Sequence, residues 1–136
     1  MREVFVDTNG WVGLKHRGDS FWQAATDLNA ALLSGGARYV TSNFVLDESY
    51  TLLLLRVGHR VAVELGEEIR ASRLVTVVHV SEELEDEAWS LFKRYSDKEF
   101  SFTDCTSFVI MEEKGMKEAL TADHHFRQAG FRSLLA

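Results

Sequence analysis

The sequence has no proline and a single cysteine, Cys105, in 136 residues. Ordinary proline usage of about 5% would give roughly six or seven, so glycine carries most of the punctuation. One cysteine excludes an internal disulfide framework, and nothing in the chain calls for an oxidising compartment. No apolar run approaches the ~18 residues of a membrane span. Positive charge is also scarce: 15 Lys and Arg stand against 21 Asp and Glu, a formal charge of −6. That excludes a general cationic coat for gripping nucleic acid, though not a local basic rim. Glu3 and Asp7 near the N-terminus suit neither a signal peptide nor a transit peptide. Repeats, low-complexity tracts and linkers are missing, and at roughly 100–200 residues per domain the chain has room for one. The 46% apolar and 11% aromatic content supports a conventional core. The expectation is one soluble, cytoplasmic domain over residues 1–136, with no membrane segment.

What is present alternates between two periodicities. Glu3–Val6 is a short β-branched and aromatic run, read as a buried strand ending on Asp7. Phe21, Ala25, Leu28 and Leu32 recur at helical spacing until Gly35-Gly36. Arg38–Thr41 reads as a strand, Ser42 as a helix cap, and Asn43–Val57 as an apolar helix stopped by Gly58. His59–Ser72 predicts another helix, and Leu74–Val80 a strand. Ser81 caps a helix striped by Leu84, Ala88, Leu91, Phe92 and Tyr95. Ser101 opens a helix through Lys114 that Gly115 ends. Glu118–Thr121 is a strand, Asp123–Gln128 a helical turn, and Phe131–Leu134 a closing strand. Strands alternating with helices predict an α/β fold with a parallel sheet covered on both faces.

Four carboxylates stand in unusual places. Asp7 and Asp123 each follow a predicted strand, and ligands bind at the carboxyl ends of strands in open α/β sheets. Glu48 shares a helix stripe with Phe44 and Leu52, and Asp104 a face with Phe108 and Met111. A charge on a core-facing stripe must be paired, hydrated or metal-bound. Each acid also has a purely structural reading. Asp7 can end a strand, Asp104 can cap a helix with Ser101, Asp123 can cap its turn, and Glu48 can lean outward. If the fold gathers all four, their mutual repulsion calls for a hard divalent cation on oxygen ligands, Mg²⁺ or Mn²⁺. Zinc is disfavoured because no Cys/His ligand spacing exists.

Val6-Asp7-Thr8-Asn9, Leu46-Asp47-Glu48, Ser101-Phe102-Thr103-Asp104 and Leu120-Thr121-Ala122-Asp123-His124-His125-Phe126 together resemble the PIN domain. The resemblance covers essentially the whole chain and is strongest to compact ribonucleases typified by the VapC toxins. It implies a three-layer α/β/α fold with parallel strand order 3-2-1-4-5, and an Mg²⁺ or Mn²⁺ site. It also implies RNA cleavage, a separate antitoxin protein as partner, and a homodimer. Position by position, it assigns catalysis and metal binding to Asp7, Glu48, Asp104 and Asp123, with Asn9 and Thr121 in support.

The remaining candidates are read more plainly. Arg56, His59 and Arg60, with Lys15, His16 and Arg17, are candidates for a basic rim holding phosphates. Cys105 reads as a small buried helix residue, and His124 and His125 as packing and surface residues in preference to contacts with metal or phosphate. The all-round apolar segment Leu52–Leu55 suits a central helix or a subunit contact. Competing functions are a PIN-like module that binds RNA or protein without cutting, a non-toxin RNA-processing nuclease, and a phosphatase with an aspartyl nucleophile. The last wants a second acid two positions after Asp7, where Asn9 stands.

Overall fold

In a computed structural model, which describes residues 1–135, Val4, Phe5 and Val6 have no solvent exposure. Such complete burial belongs to the middle strand of a sheet covered on both faces. That strand is β1 (Glu3–Val6). It lies between β2 (Arg38–Ser42) and β4 (Glu118–Leu120), with β3 (Val75–Val78) and β5 (Arg132–Ser133) at the edges. Every pairing is parallel, and the order is β3-β2-β1-β4-β5, as the family resemblance implies.

Parallel strands need crossovers, and right-handed ones decide which face each helix covers. α1 (Thr8–Lys15), α2 (Trp22–Ser34), α3 (Asn43–Arg56) and α4 (His59–Ala71) pack on one another over one face. α5 (Glu82–Arg94), α6 (Phe102–Lys114) and α7 (His124–Gln128) cover the other. The first turns of α3 and α6 meet over the carboxyl edge of the sheet, where the Phe44 and Phe102 rings lie 6.3 Å apart. Among the described residues, no helix is long and apolar enough to cross a membrane.

Caps set most helix ends where the sequence places them. Ser42, Ser81 and Ser101 each accept a backbone N–H from the first turn of the following helix. Gly115 ends α6 in the left-handed conformation, with φ 66°, which favours glycine. One element departs from expectation. No helical spacing is visible between Asp7 and Ser20, yet α1 forms there. Gly10 and Gly13 lower its intrinsic helix propensity. They serve packing instead: a Cβ at Gly10 would collide with the Leu120 carbonyl oxygen, and one at Gly13 would lie 3.3 Å from Ala25 Cβ. Close approach of α1 to β4 and α2 therefore overrides local preference. Strand β3 is also shorter than expected, and beyond it the Val80 N–H turns to Asn43 Oδ1 at 2.8 Å.

Candidate active site

The sheet order reverses between β1 and β4, and that switch point opens a crevice at the carboxyl ends of the strands. Asp7 stands immediately after β1. The register Val6↔Leu120 sets Thr121 beside it, with Thr121 Oγ1 3.1 Å from Asp7 Oδ2 and 2.9 Å from Asn9 Oδ1. One hydroxyl proton serves one of those acceptors at a time. Asn9 Oδ1 also accepts the Ala122 N–H at 2.9 Å, and Thr121 Oγ1 accepts the Asp123 N–H at 3.0 Å. These bonds pin the turn after β4 to the start of α1. They fix where Asp123 stands.

The helix starts supply the rest. Asp104 is in the first turn of α6, inside a reciprocal capping box. Its N–H donates to Ser101 Oγ at 2.9 Å, and its Oδ2 accepts the Ser101 N–H at 3.1 Å. Asp123 caps α7, its Oδ1 accepting the His125 N–H at 2.9 Å. Capping and site membership are thus compatible: the cap holds each carboxylate in the orientation that faces the crevice. Asp7, Asp104 and Asp123 each offer an oxygen within 4.8 Å of the other two.

This convergence has an electrostatic cost. Burial, then the negative charges of Asp104 and Asp123, push the Asp7 carboxyl up to about 7, against the relief from Thr8 and Thr121 hydrogen bonds. Burial also raises Asp104, opposed by the Ser101 N–H, with Asp123 adding to the rise. No lysine or arginine among the described residues forms an ion pair with the three acids; the only charged-type contact is histidine.

That histidine extends the sequence reading. His125 packs against Phe100 as expected, and in addition its Nδ1 lies 3.0 Å from Asp104 Oδ2 and 3.2 Å from Asp123 Oδ1. An adjacent His pair lacks metal-ligand spacing, so sequence alone hid its role. The usable signal was its place two residues after a helix-capping acid. Glu48 differs in another way. It is exposed on α3 and does not belong to the close carboxylate group, because the buried stripe of that helix runs through Val45, Leu46, Ser49 and Leu53 instead. Its face is nonetheless that of Phe44, one turn earlier, whose ring meets Phe102 at the start of α6.

The basic rim does not assemble as drawn. Lys15 is bound to Glu68 at 2.8 Å and lies 3.9 Å from Glu64. Arg56 lies about 20 Å along α3 from the site end of that helix, at 1.5 Å per residue. Cys105 behaves as read, a buried residue whose thiol is pushed up to about 11, chiefly by burial.

Residues 4–132 match the family model described as the PIN domain. This chain belongs to the PIN-domain family, on its VapC branch. It is 43% identical over 128 residues to the 23S rRNA-specific endonuclease VapC20 of Mycobacterium tuberculosis, covering 94% of this chain and 95% of that protein. A VapC ribonuclease of Archaeoglobus fulgidus is 35% identical over 120 residues, covering 84% of this chain and 73% of that protein. The crystal structure of the M. tuberculosis VapC20, described as a sarcin–ricin loop cleaving toxin, superposes with a TM-score of 0.87. There the identity is 41%, over 94% of this chain and 95% of that one. FitAcB of Neisseria gonorrhoeae shares the fold alone, with a TM-score of 0.66 at 15% identity, over 96% and 95% of the two chains.

Proposed function

We propose that this chain is a Mg²⁺- or Mn²⁺-dependent endoribonuclease and the toxin of a toxin–antitoxin pair. The observation that carries the reading is the convergence of Asp7, Asp104 and Asp123 at the switch point of the sheet. Hard oxygen donors, two of them buried and without a lysine or arginine partner, fit a hard divalent cation. When bound, such an ion supplies an activated water and neutralises charge on the phosphate. The protein's own share is placement. Thr121 orients the Asp7 carboxylate, the capping box orients Asp104, and the start of α7 orients Asp123. Glu48, exposed on the α3 face that carries Phe44, would be the fourth acid, turning toward the ion when it binds.

The substrate class comes from the relatives: a ribosomal RNA stem–loop is the first RNA to test, and such work belongs in the cytoplasm. Cleavage of a 23S rRNA sarcin–ricin hairpin by purified protein should require Mg²⁺ or Mn²⁺ and stop with EDTA. Asp104→Asn should be inactive yet folded by circular dichroism. Undiminished cleavage in EDTA, or by folded Asp104→Asn, contradicts the proposal.

The partners follow from surface as well as family. Phe44, Glu48, Leu52 and Leu55 share one α3 face by helical spacing. Leu55 is 76% exposed, and Phe44 continues through Phe102 to the exposed Trp89 and Phe92 of α5. An apolar stripe of this extent marks an interaction surface. We assign it to a homodimer, with a separate antitoxin as the second partner. Light scattering at tens of micromolar should give twice the 15.4 kDa chain mass. Trp89→Glu with Leu55→Glu should return it to the monomer; a monomeric wild type would refute the assignment.

A further inference from the structure

We propose that His125 is a positioning residue of the carboxylate site, bridging Asp104 through its ring Nδ1–H and Asp123 through its backbone N–H. The inference rests on the metal-site reading above. Asp104 opens α6 and Asp123 caps α7, two elements joined through a crossover strand. The His125 ring spans them, with Nδ1 3.0 Å from Asp104 Oδ2 and 3.2 Å from Asp123 Oδ1. Both neighbours of Nδ1 are acceptors, so the proton belongs on that nitrogen.

The ring is itself held. Its edge packs on Phe100 with centroids 5.6 Å apart at 75°, and its side chain is only 16% exposed. Its backbone adds a second tie, because the His125 N–H donates to Asp123 Oδ1 at 2.9 Å. One residue therefore holds both acids, Asp123 through its backbone N–H and Asp104 through its ring, with Nδ1 also close to the Asp123 oxygen. Among the described residues, Asp104 Oδ1 and Asp123 Oδ2 receive no such bond. Each carboxylate has one oxygen tied to protein and one left for a ligand. A donor between two acids that repel also keeps them close before any ion arrives. Partners of this kind orient metal ligands, and losing them typically weakens metal affinity about 10–100-fold.

The rival role is direct ligation, since Asp123, His124 and His125 also offer atoms within 4.8 Å of one another. Nitrogen-15 NMR of the full chain, metal-free and with saturating Mg²⁺, separates the two. The positioning role expects the proton on Nδ1 in both states. Ligation through Nδ1 would move it to Nε2 on adding Mg²⁺, and would overturn the proposal. Calorimetric titration with Mn²⁺ supplies the second arm. His125→Ala should bind about 10–100-fold more weakly, with kcat at saturating Mn²⁺ reduced far less than affinity. His125→Asn, whose amide N–H₂ can stand near the Nδ1 position, should recover most of the loss. Affinity within twofold of wild type in folded His125→Ala, or no recovery in folded His125→Asn, would overturn it. If wild type binds no Mn²⁺, the function proposed above fails. The metal-free NMR still judges His125 by itself, because an Nδ1 that carries no proton there rejects the bridge.

Discussion

Asp7→Asn should abolish RNA cleavage while making the metal-free protein more stable at neutral pH. The activity loss should reach about a thousandfold or more, because the ion held there supplies several kcal/mol of transition-state stabilisation. The gain in stability follows from linkage. Asp7 has a folded pKa of about 7 against an ordinary 3.8. The native state therefore binds the extra proton between those values, and wild-type stability falls as pH rises through that window. Asparagine is neutral throughout, so its advantage is small at pH 4 and largest above pH 7. Roughly 2–4 kcal/mol is expected there at 1.36 kcal/mol per pKa unit, less whatever the lost Thr121 bond contributes. Urea denaturation of both proteins, without metal, across pH 4–8 measures this. A variant that is less stable than wild type at pH 8, or that still cuts RNA at the wild-type rate, would show that Asp7 is a structural turn residue.

The ion should reverse the penalty that the acids impose on the empty fold. Bound by the native state alone at 100 times its dissociation constant, Mg²⁺ or Mn²⁺ would contribute about 2.7 kcal/mol. At roughly 3–5 °C per kcal/mol for a chain of this size, the melting temperature should rise by about 10 °C. The rise should be larger at pH 8 than at pH 5, because protons compete with the ion for the raised carboxyls Asp7 and Asp104. Asp104→Asn should lose most of the response. Differential scanning calorimetry with and without EDTA reads all of this. An unchanged melting temperature at saturating Mg²⁺ and Mn²⁺ would leave the three carboxylates without a common ligand.

Eleven of the twelve secondary-structure elements needed only periodicity and caps to read, with β3 and β5 shorter than expected, while the strand order came with the family resemblance. α1 did not, because Gly10 and Gly13 answer to β4 and α2 across the fold, and nothing local announces such a contact. The site shows the same division. Asp7 and Asp123 were legible as acids at strand ends, and Asp104 as a cap. Their meeting was not, since it depends on β1 and β4 being neighbours although more than a hundred residues apart in sequence. Glu48 was misplaced onto a buried stripe because the Phe44–Leu52 spacing looked apolar, while the helix is rotated to bury Val45 and Ser49 instead. His125 was undervalued because its partners come from another helix. Each miss concerns a contact between elements.

Where Mn²⁺ binds is the most direct test of all. In crystals of the full chain grown with Mn²⁺, anomalous scattering should show a peak among Asp7, Asp104 and Asp123. Carboxylate oxygens should lie at about 2–2.5 Å, the range of hard-cation coordination. Glu48 should turn toward that ion, directly or through water. An ordered Mn²⁺ held elsewhere, with these three carboxylates uncoordinated, would contradict the site and the nuclease mechanism built on it.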